Sequence, residues 1–122
     1  CAIWGRDYGE AGAIDFFGRA YGLPHAISGY QNYYLWGPGP YSGDCVITMN
    51  IPEKALRPWF ERVDLAATVS CEYCMPDKAS VPIHVCRGLK QPLQEFWPMT
   101  KCWTCDKPAF ARAALADGQS NR

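Results

Sequence analysis

Apolar positions recur along this chain with two different periods, and the switches between them mark its elements. The run Ala2-Ile3-Trp4 predicts a first short strand. Asp7 and Glu10 then stand three residues apart ahead of a helical pattern, a capping box with Asp in place of Ser or Thr. Ala13, Ile14, Phe17, Ala20 and Tyr21 recur at helical spacing, so this helix is expected to reach about Tyr21. Gly22 can stop it in the left-handed conformation, and Pro24 prevents its resumption. Ala26-Ile27-Ser28 predicts a second short strand. In the polar and aromatic stretch from Gly29 to Trp36, an extended backbone puts Tyr34 and Trp36 on one side and Tyr33 and Leu35 on the other. Gly37-Pro38-Gly39-Pro40 forces a turn.

The second half repeats the logic. Cys45-Val46-Ile47-Thr48-Met49 reads as a strand whose near-continuous apolarity suggests burial on both faces. After Pro52, residues Leu56, Trp59, Phe60 and Val63 share one helical face, with Pro58 either kinking that helix or opening it. Residues 65–69 read as a strand, 71–81 as a loop, and Pro82-Ile83-His84-Val85-Cys86 as an alternating strand. Pro92 opens a short helix with Leu93, Phe96 and Trp97 on one side. Strands separated by helices predict an α/β fold: a single small layered domain over residues 1–105, with a mostly parallel or mixed sheet of four to five strands and about three helices. Residues 106–122, Ala-rich and then polar, are expected to form a poorly ordered or partly helical tail.

Composition narrows the function classes. Lys plus Arg and Asp plus Glu each number 12 in 122 residues, so the formal net charge is zero and the chain has no field to draw in nucleic acid. No apolar run approaches the roughly 20 residues needed to cross a bilayer. The chain opens at Cys1 without a basic-then-apolar leader and reads as a fragment or a processed chain. Aromatic residues make up 14%, a heavy load that core packing alone need not absorb. The segment Tyr30-Gln31-Asn32-Tyr33-Tyr34-Leu35-Trp36 places aromatic faces beside amides, a combination that suits sugar rings. Candidate ligand-contacting residues are Tyr8, Glu10, Asn32, Tyr34 and Trp36.

Seven cysteines cannot all pair within one chain. Cys71-Glu-Tyr-Cys74 and Cys102-Trp-Thr-Cys105 have the internal spacing of a four-thiolate zinc site, with a longer gap between the pairs than a zinc ribbon uses. A redox reading is weaker, because neither pair opens an apolar-periodic helix that would lower a thiol pKa. A lipid anchor on Cys1 is a further reading that depends on an upstream leader. The Gly-rich stretch from Gly5 to Gly12 lacks both Gly-x-Gly-x-x-Gly and the P-loop lysine, so it reads as a tight turn and cap. His25 and His84 belong to no catalytic motif, and no catalytic residue, metal or cofactor is assigned.

Several runs are more specific. Asp7-Tyr-Gly-Glu-Ala-Gly-Ala-Ile-Asp15-Phe-Phe-Gly18, Tyr21-Gly-Leu-Pro24, Ile27-Ser-Gly29 and Tyr33-Tyr-Leu-Trp-Gly-Pro38 come in this order. Cys74-Met-Pro76, Pro82-Ile-His-Val-Cys86-Arg-Gly88 and residues 93–97 continue them. Together they resemble the C-terminal soluble region of bacterial family 39 glycosyltransferases, the dolichyl-phosphate-mannose-protein mannosyltransferase-like membrane enzymes. Tyr30-Gln31 stand where that pattern often has a histidine, and the stretch from Cys105 on is foreign to it. The resemblance implies a non-catalytic accessory domain beside a membrane portion that transfers sugar from a polyprenyl-phosphate carrier. The implied partners are a carbohydrate or lipid-linked sugar and that membrane portion. The implied location is the periplasmic or extracellular face, whereas a stand-alone gene product would be cytoplasmic. The alternatives are a stand-alone binding module or a zinc protein using Cys71, Cys74, Cys102 and Cys105.

Overall fold

The sheet is organised around β1 (Ala2–Gly5), which has a neighbour on each edge in the computed structural model, whose description covers residues 1–101. On one edge runs β2 (Cys45–Met49), parallel and in register from Ala2 opposite Val46 to Gly5 opposite Met49. On the other edge Ile27 makes a single parallel bridge to Trp4, with the Ile27 amide donating to the Ile3 carbonyl and the Gly5 amide to the Ile27 carbonyl. The expected strand at residues 26–28 is therefore reduced to one bridge. Beyond β2 the sheet turns antiparallel: β4 (Ser80–Leu89) pairs with β2, and β3 (Phe60–Ser70) pairs with β4 at the outer edge. The order β1-β2-β4-β3 makes a four-stranded mixed sheet in a small α/β domain, as the pattern predicted.

Period-two alternation sorts the side chains between two layers. Ala2, Trp4, Val46 and Cys86 face a core with Leu56, Phe60, Leu93, Phe96 and Trp97. The opposite face carries Ile3 and Met49, which meet Ala11 and Ile14 of α1 (Tyr8–Phe17) and Ala26. Gly5 lets α1 lie close to β1, since a Cβ there would sit 2.8 Å from the Ala11 amide nitrogen. In β2, Val46 and Thr48 are buried while Cys45, Ile47 and Met49 are half-buried, so burial alternates and is not complete on both faces. Thr48 and His84 are register partners, and each keeps a buried polar atom, Oγ1 and Nδ1, without a hydrogen-bond partner among the described residues.

Three local expectations fail for definable reasons. Residues 32–36 form a short helix, α2 (Asn32–Trp36), and not an extended segment, so Tyr34 and Trp36 do not share a side. The helix after Pro52 is only α3 (Glu53–Leu56). Pro58 ends the helical region, and Phe60 and Val63, which matched the helical period, lie instead in the 11-residue strand β3. The segment 71–81 is not all loop, because a short 3₁₀ turn at Pro76–Lys78 leads directly into β4 at Ser80. The remaining helix, α4 (Leu93–Phe96), starts after Pro92 as expected and continues into a 3₁₀ turn. The expected tail, 106–122, lies outside the described residues.

Candidate functional site

α1 begins at the carboxyl end of β1, and its cap is complete. The Glu10 amide donates to Asp7 Oδ1 at 3.1 Å and the Asp7 amide to Glu10 Oε2 at 3.3 Å. Two further elements close on this cap. Lys78, in the 3₁₀ turn before β4, reaches Asp7 Oδ2 and Glu10 Oε1, each at 2.7 Å. Asn50 sits just past β2 at a positive φ of 64°, which asparagine tolerates, and its side-chain amide donates to Glu10 Oε1 at 2.8 Å. Glu10 is only 7% exposed. Burial by itself would push the Asp7 carboxyl up, but the Lys78 ammonium and the amides of Glu10 and Gly9 outweigh it and hold the group below its usual range. Burial likewise works against the Lys78 ammonium, yet its bonds to Asp7 and Glu10 raise its pKa above the ordinary lysine value. This cluster sits at the carboxyl ends of two parallel strands, where open α/β sheets commonly bind ligands. Here the groups satisfy one another, so the cluster acts as a clamp.

The open chemistry lies along another face of the same helix. Tyr8, Gly12 and Asp15 fall at i, i+4 and i+7 and share one side of α1. Residues 30–36 run against that side. The Tyr30 ring meets Tyr8 with centroids 5.6 Å apart. Tyr33 crosses above Gly12, where a Cβ would come within 4.0 Å of its hydroxyl, and donates to Asp15 Oδ2 at 2.7 Å. Trp36 stands edge-to-face with Tyr33 at 4.8 Å and remains 71% exposed. The other Asp15 oxygen accepts from the Ala26 amide at 2.7 Å and lies 3.5 Å from His25 Nδ1 on the exposed rim. Partial burial and the Asp15 carboxylate push the Tyr33 phenol up to about 12, so it stays a neutral donor at any physiological pH. The result is a ridge of four rings, Tyr8, Tyr30, Tyr33 and Trp36. Seven residues of helix, roughly 10 Å, separate its anchor points on Tyr8 and Asp15.

The structure thus divides the five candidate residues. Tyr8 and Trp36 belong to the ridge with exposed rings, and Asn32 is exposed at the start of α2 beside it. Glu10 points into the clamp. Tyr34 turns away from the ridge: its ring stacks on Trp97 at 6.1 Å, nearly parallel, with the Lys101 ammonium 5.6 Å from its centroid. The Tyr34 carbonyl also accepts the Trp97 indole N–H at 3.0 Å. Sequence reasoning missed the ridge roles of Tyr30, Tyr33, Asp15 and His25. The usable signal was the helical spacing of Tyr8, Gly12 and Asp15, with glycine making room for a ring.

Among the described residues the cysteines are used structurally. Cys1 and Cys45 join the starts of β1 and β2, with Cα atoms 4.7 Å apart. Cys71 and Cys74 join across the tip of the β3–β4 ribbon. With those two sulfurs bonded to each other, neither is a thiolate for zinc, and Cys102 and Cys105 lie outside the described residues. Among the described residues no group of three or more His, Cys, Asp or Glu side chains is placed to hold a metal. Cys86 is free, and burial pushes its thiol up to about 11, so it is an inert core residue. Among the described residues no helix is long and apolar enough to cross a membrane.

Compared with known proteins, the chain matches no family model, no curated protein and no solved structure. The functional reading therefore stands on the residues and their geometry.

Proposed function

We propose that this domain is a non-catalytic carbohydrate-binding module that serves as an accessory to a membrane glycosyltransferase using polyprenyl-phosphate sugars. The observation that carries the binding role is the ridge, with the Trp36 indole 71% exposed at one end and Tyr8 exposed at the other. The exposed rings of Tyr8 and Trp36, each packed on a half-buried tyrosine, form two aromatic patches of the kind that often mark a binding surface. Sugar rings present apolar C–H faces that stack on indole and phenol, while their hydroxyls take hydrogen bonds at the edges. Asn32 beside the ridge and His25 on its rim supply such edge groups. The span between the two ring pairs favours an oligosaccharide, or a sugar with its carrier head group, over a single free monosaccharide. The two disulfides suit an oxidising, extracytoplasmic setting. The glycosyltransferase association rests on the motif resemblance alone.

Titration of the protein with a panel of oligosaccharides, followed by tryptophan fluorescence, tests this reading. A saturable change is expected for at least one glycan. Trp36→Ala should weaken that binding by about tenfold, the loss of one stacked ring, with unchanged far-ultraviolet circular dichroism. A flat response across the panel, or full affinity in the Trp36→Ala variant, sinks the proposal.

A further inference from the structure

Two apolar patches on the described surface have no part in the ridge. One is the ribbon side and tip, where Leu65, Val69, Tyr73 and Met75 are exposed together with Asp64 and Glu72. The other is the knuckle at the carboxyl end of α1. There Phe16, Phe17 and Tyr21 are 76%, 67% and 82% exposed, and Leu23 is exposed beside them. The two phenylalanine rings pack edge-to-face at 4.9 Å, which presents them as one unit.

The knuckle is a built structure. The Gly18 amide bonds the Ile14 carbonyl, and α1 passes into a 3₁₀ turn over Gly18–Tyr21. Gly22, with φ of 71°, reverses the chain in the left-handed region. The Leu23 amide then returns to the Gly18 carbonyl at 3.0 Å, and a Cβ on Gly18 would meet the Leu23 side chain at 3.1 Å. The backbone that carries the exposed rings is therefore held in place before any partner arrives. Arg19 is the exposed charge of this stretch, whereas Asp15 just before it is 22% exposed and turned toward the ridge. Between residues 16 and 25 the only permanently charged side chain is Arg19, which is exposed, and no acidic residue occurs. The preceding acid, Asp15, is engaged by Tyr33 and the Ala26 amide.

We propose that this knuckle is a membrane-surface contact that seats Phe16, Phe17 and Tyr21 at the boundary between head groups and acyl chains of an anionic bilayer, with Arg19 among the head groups. Aromatic rings partition to that boundary, and an arginine on an apolar rim pairs with anionic lipid. The charge pattern selects this occupant and this patch. The ribbon patch, similar in exposed apolar residues, carries Glu72 at its tip, which an anionic surface repels, and an Arg62–Asp64 ion pair at 2.6 Å that adds no net charge. The proposal goes beyond carbohydrate binding and does not depend on it.

Co-sedimentation with unilamellar vesicles tests the contact on the full chain. Binding is expected to vesicles of phosphatidylcholine with phosphatidylglycerol, several-fold weaker to phosphatidylcholine alone, and falling as salt rises. The double variant Phe16→Ser/Phe17→Ser should lose at least tenfold in binding. Arg19→Glu should lose on the order of tenfold on the anionic vesicles only. Leu65→Ser/Val69→Ser, which alters the ribbon patch, should bind as the parent does. Three results of the vesicle assay overturn the proposal: no binding to either vesicle, undiminished binding by the phenylalanine variant, or loss in the ribbon variant instead. Self-association without vesicles that the phenylalanine variant abolishes also overturns it, by assigning the patch to a second copy of the chain.

Discussion

The two ends of α1 are finished in opposite ways. At the amino end Asp7, Glu10 and Lys78 are paired with one another and joined by Asn50, in a clamp that reaches residues distant in the sequence. At the carboxyl end three large aromatic side chains, Phe16, Phe17 and Tyr21, are left in solvent. Both ends are ordered by hydrogen bonds, so the difference lies in what each end can still bind. The clamp has used its polar groups to join β1, β2 and β4, and it has little left to offer a ligand. The knuckle has satisfied only its backbone. One helix thus combines a part that holds the fold with two surfaces, ridge and knuckle, that remain available. Binding groups near a rigid clamp lose less entropy when they engage a ligand, because they are already placed.

The sharpest way to break this contrast is to remove the cation of the clamp. Lys78→Met leaves Glu10 buried with only Asn50 and the Asp7 amide as partners. Removing one member of a fully buried ion pair costs about 3–5 kcal/mol, and because the Lys78 side chain is 25% exposed the loss here should be roughly half of that. Urea unfolding should therefore show a midpoint well below the parent. The double variant Glu10→Gln/Lys78→Met should recover part of the loss, since Glu10, the more buried of the two carboxylates, then carries no charge, while Asp7 keeps the amides of Glu10 and Gly9 as partners. A Lys78→Met stability within 0.5 kcal/mol of the parent would show that the clamp is solvated and that the two helix ends are energetically alike.

Parts of this arrangement were legible in the chain and parts were not, according to how far apart the interacting residues lie. The Asp7–Glu10 cap and the stop at Gly22 are local chemistry, and both stand in the structure where the sequence put them. The mixed α/β architecture followed from the alternation of periods. Phe60 and Val63 fit a helical stripe equally well, and only pairing with β4 decides that they belong to a strand. Residues 33–36 look strand-like because aromatic residues favour strands. They become a helical turn with Tyr34 against Trp97 and Tyr33 against Asp15, contacts made across 63 and 18 positions. Lys78 carried no signal at all, because its role depends on a loop arriving from 68 positions beyond Glu10. The ridge was half visible: its residue types were in the sequence, but its membership was set by tertiary contact.

The pH dependence of the clamp gives a smaller effect with a defined sign. Asp7 has a depressed folded pKa, so its contribution is present above the ordinary carboxylate range, near pH 4, and is lost as pH falls through the depressed value. Lys78 has a raised folded pKa, so its contribution is complete below its ordinary value near pH 10 and is lost as pH rises through the raised one. The clamp should therefore hold constant across neutral pH and fail at both extremes. Asp7→Asn separates charge from cap, because asparagine caps a helix as well as aspartate does. It should lower stability at pH 7 by about 1 kcal/mol, as expected for one hydrogen-bonded charge on a partly buried pair, and flatten the acid limb. An acid limb as steep as the parent's would place the responsible carboxylate elsewhere.

The smallest stability effect belongs to the other end of the helix, and its smallness is the informative part. Phe16→Ser/Phe17→Ser removes two rings that are mostly in water, so little apolar burial is lost on folding. The edge-to-face contact between them is also lost, at an exposed site where it contributes only tenths of a kcal/mol. The net change should fall within about 0.5 kcal/mol of the parent, as for surface substitutions away from caps and cores. Thermal unfolding without vesicles measures this directly. A loss near 2 kcal/mol would mean that the rings pack against the domain, and the contrast between the two ends would collapse. A null effect on stability joined to a large effect on vesicle binding would separate what the knuckle does for the fold from what it does for a partner. No other pair of measurements distinguishes a surface kept for binding from one kept for packing so cleanly, because here the same two side chains are read in both.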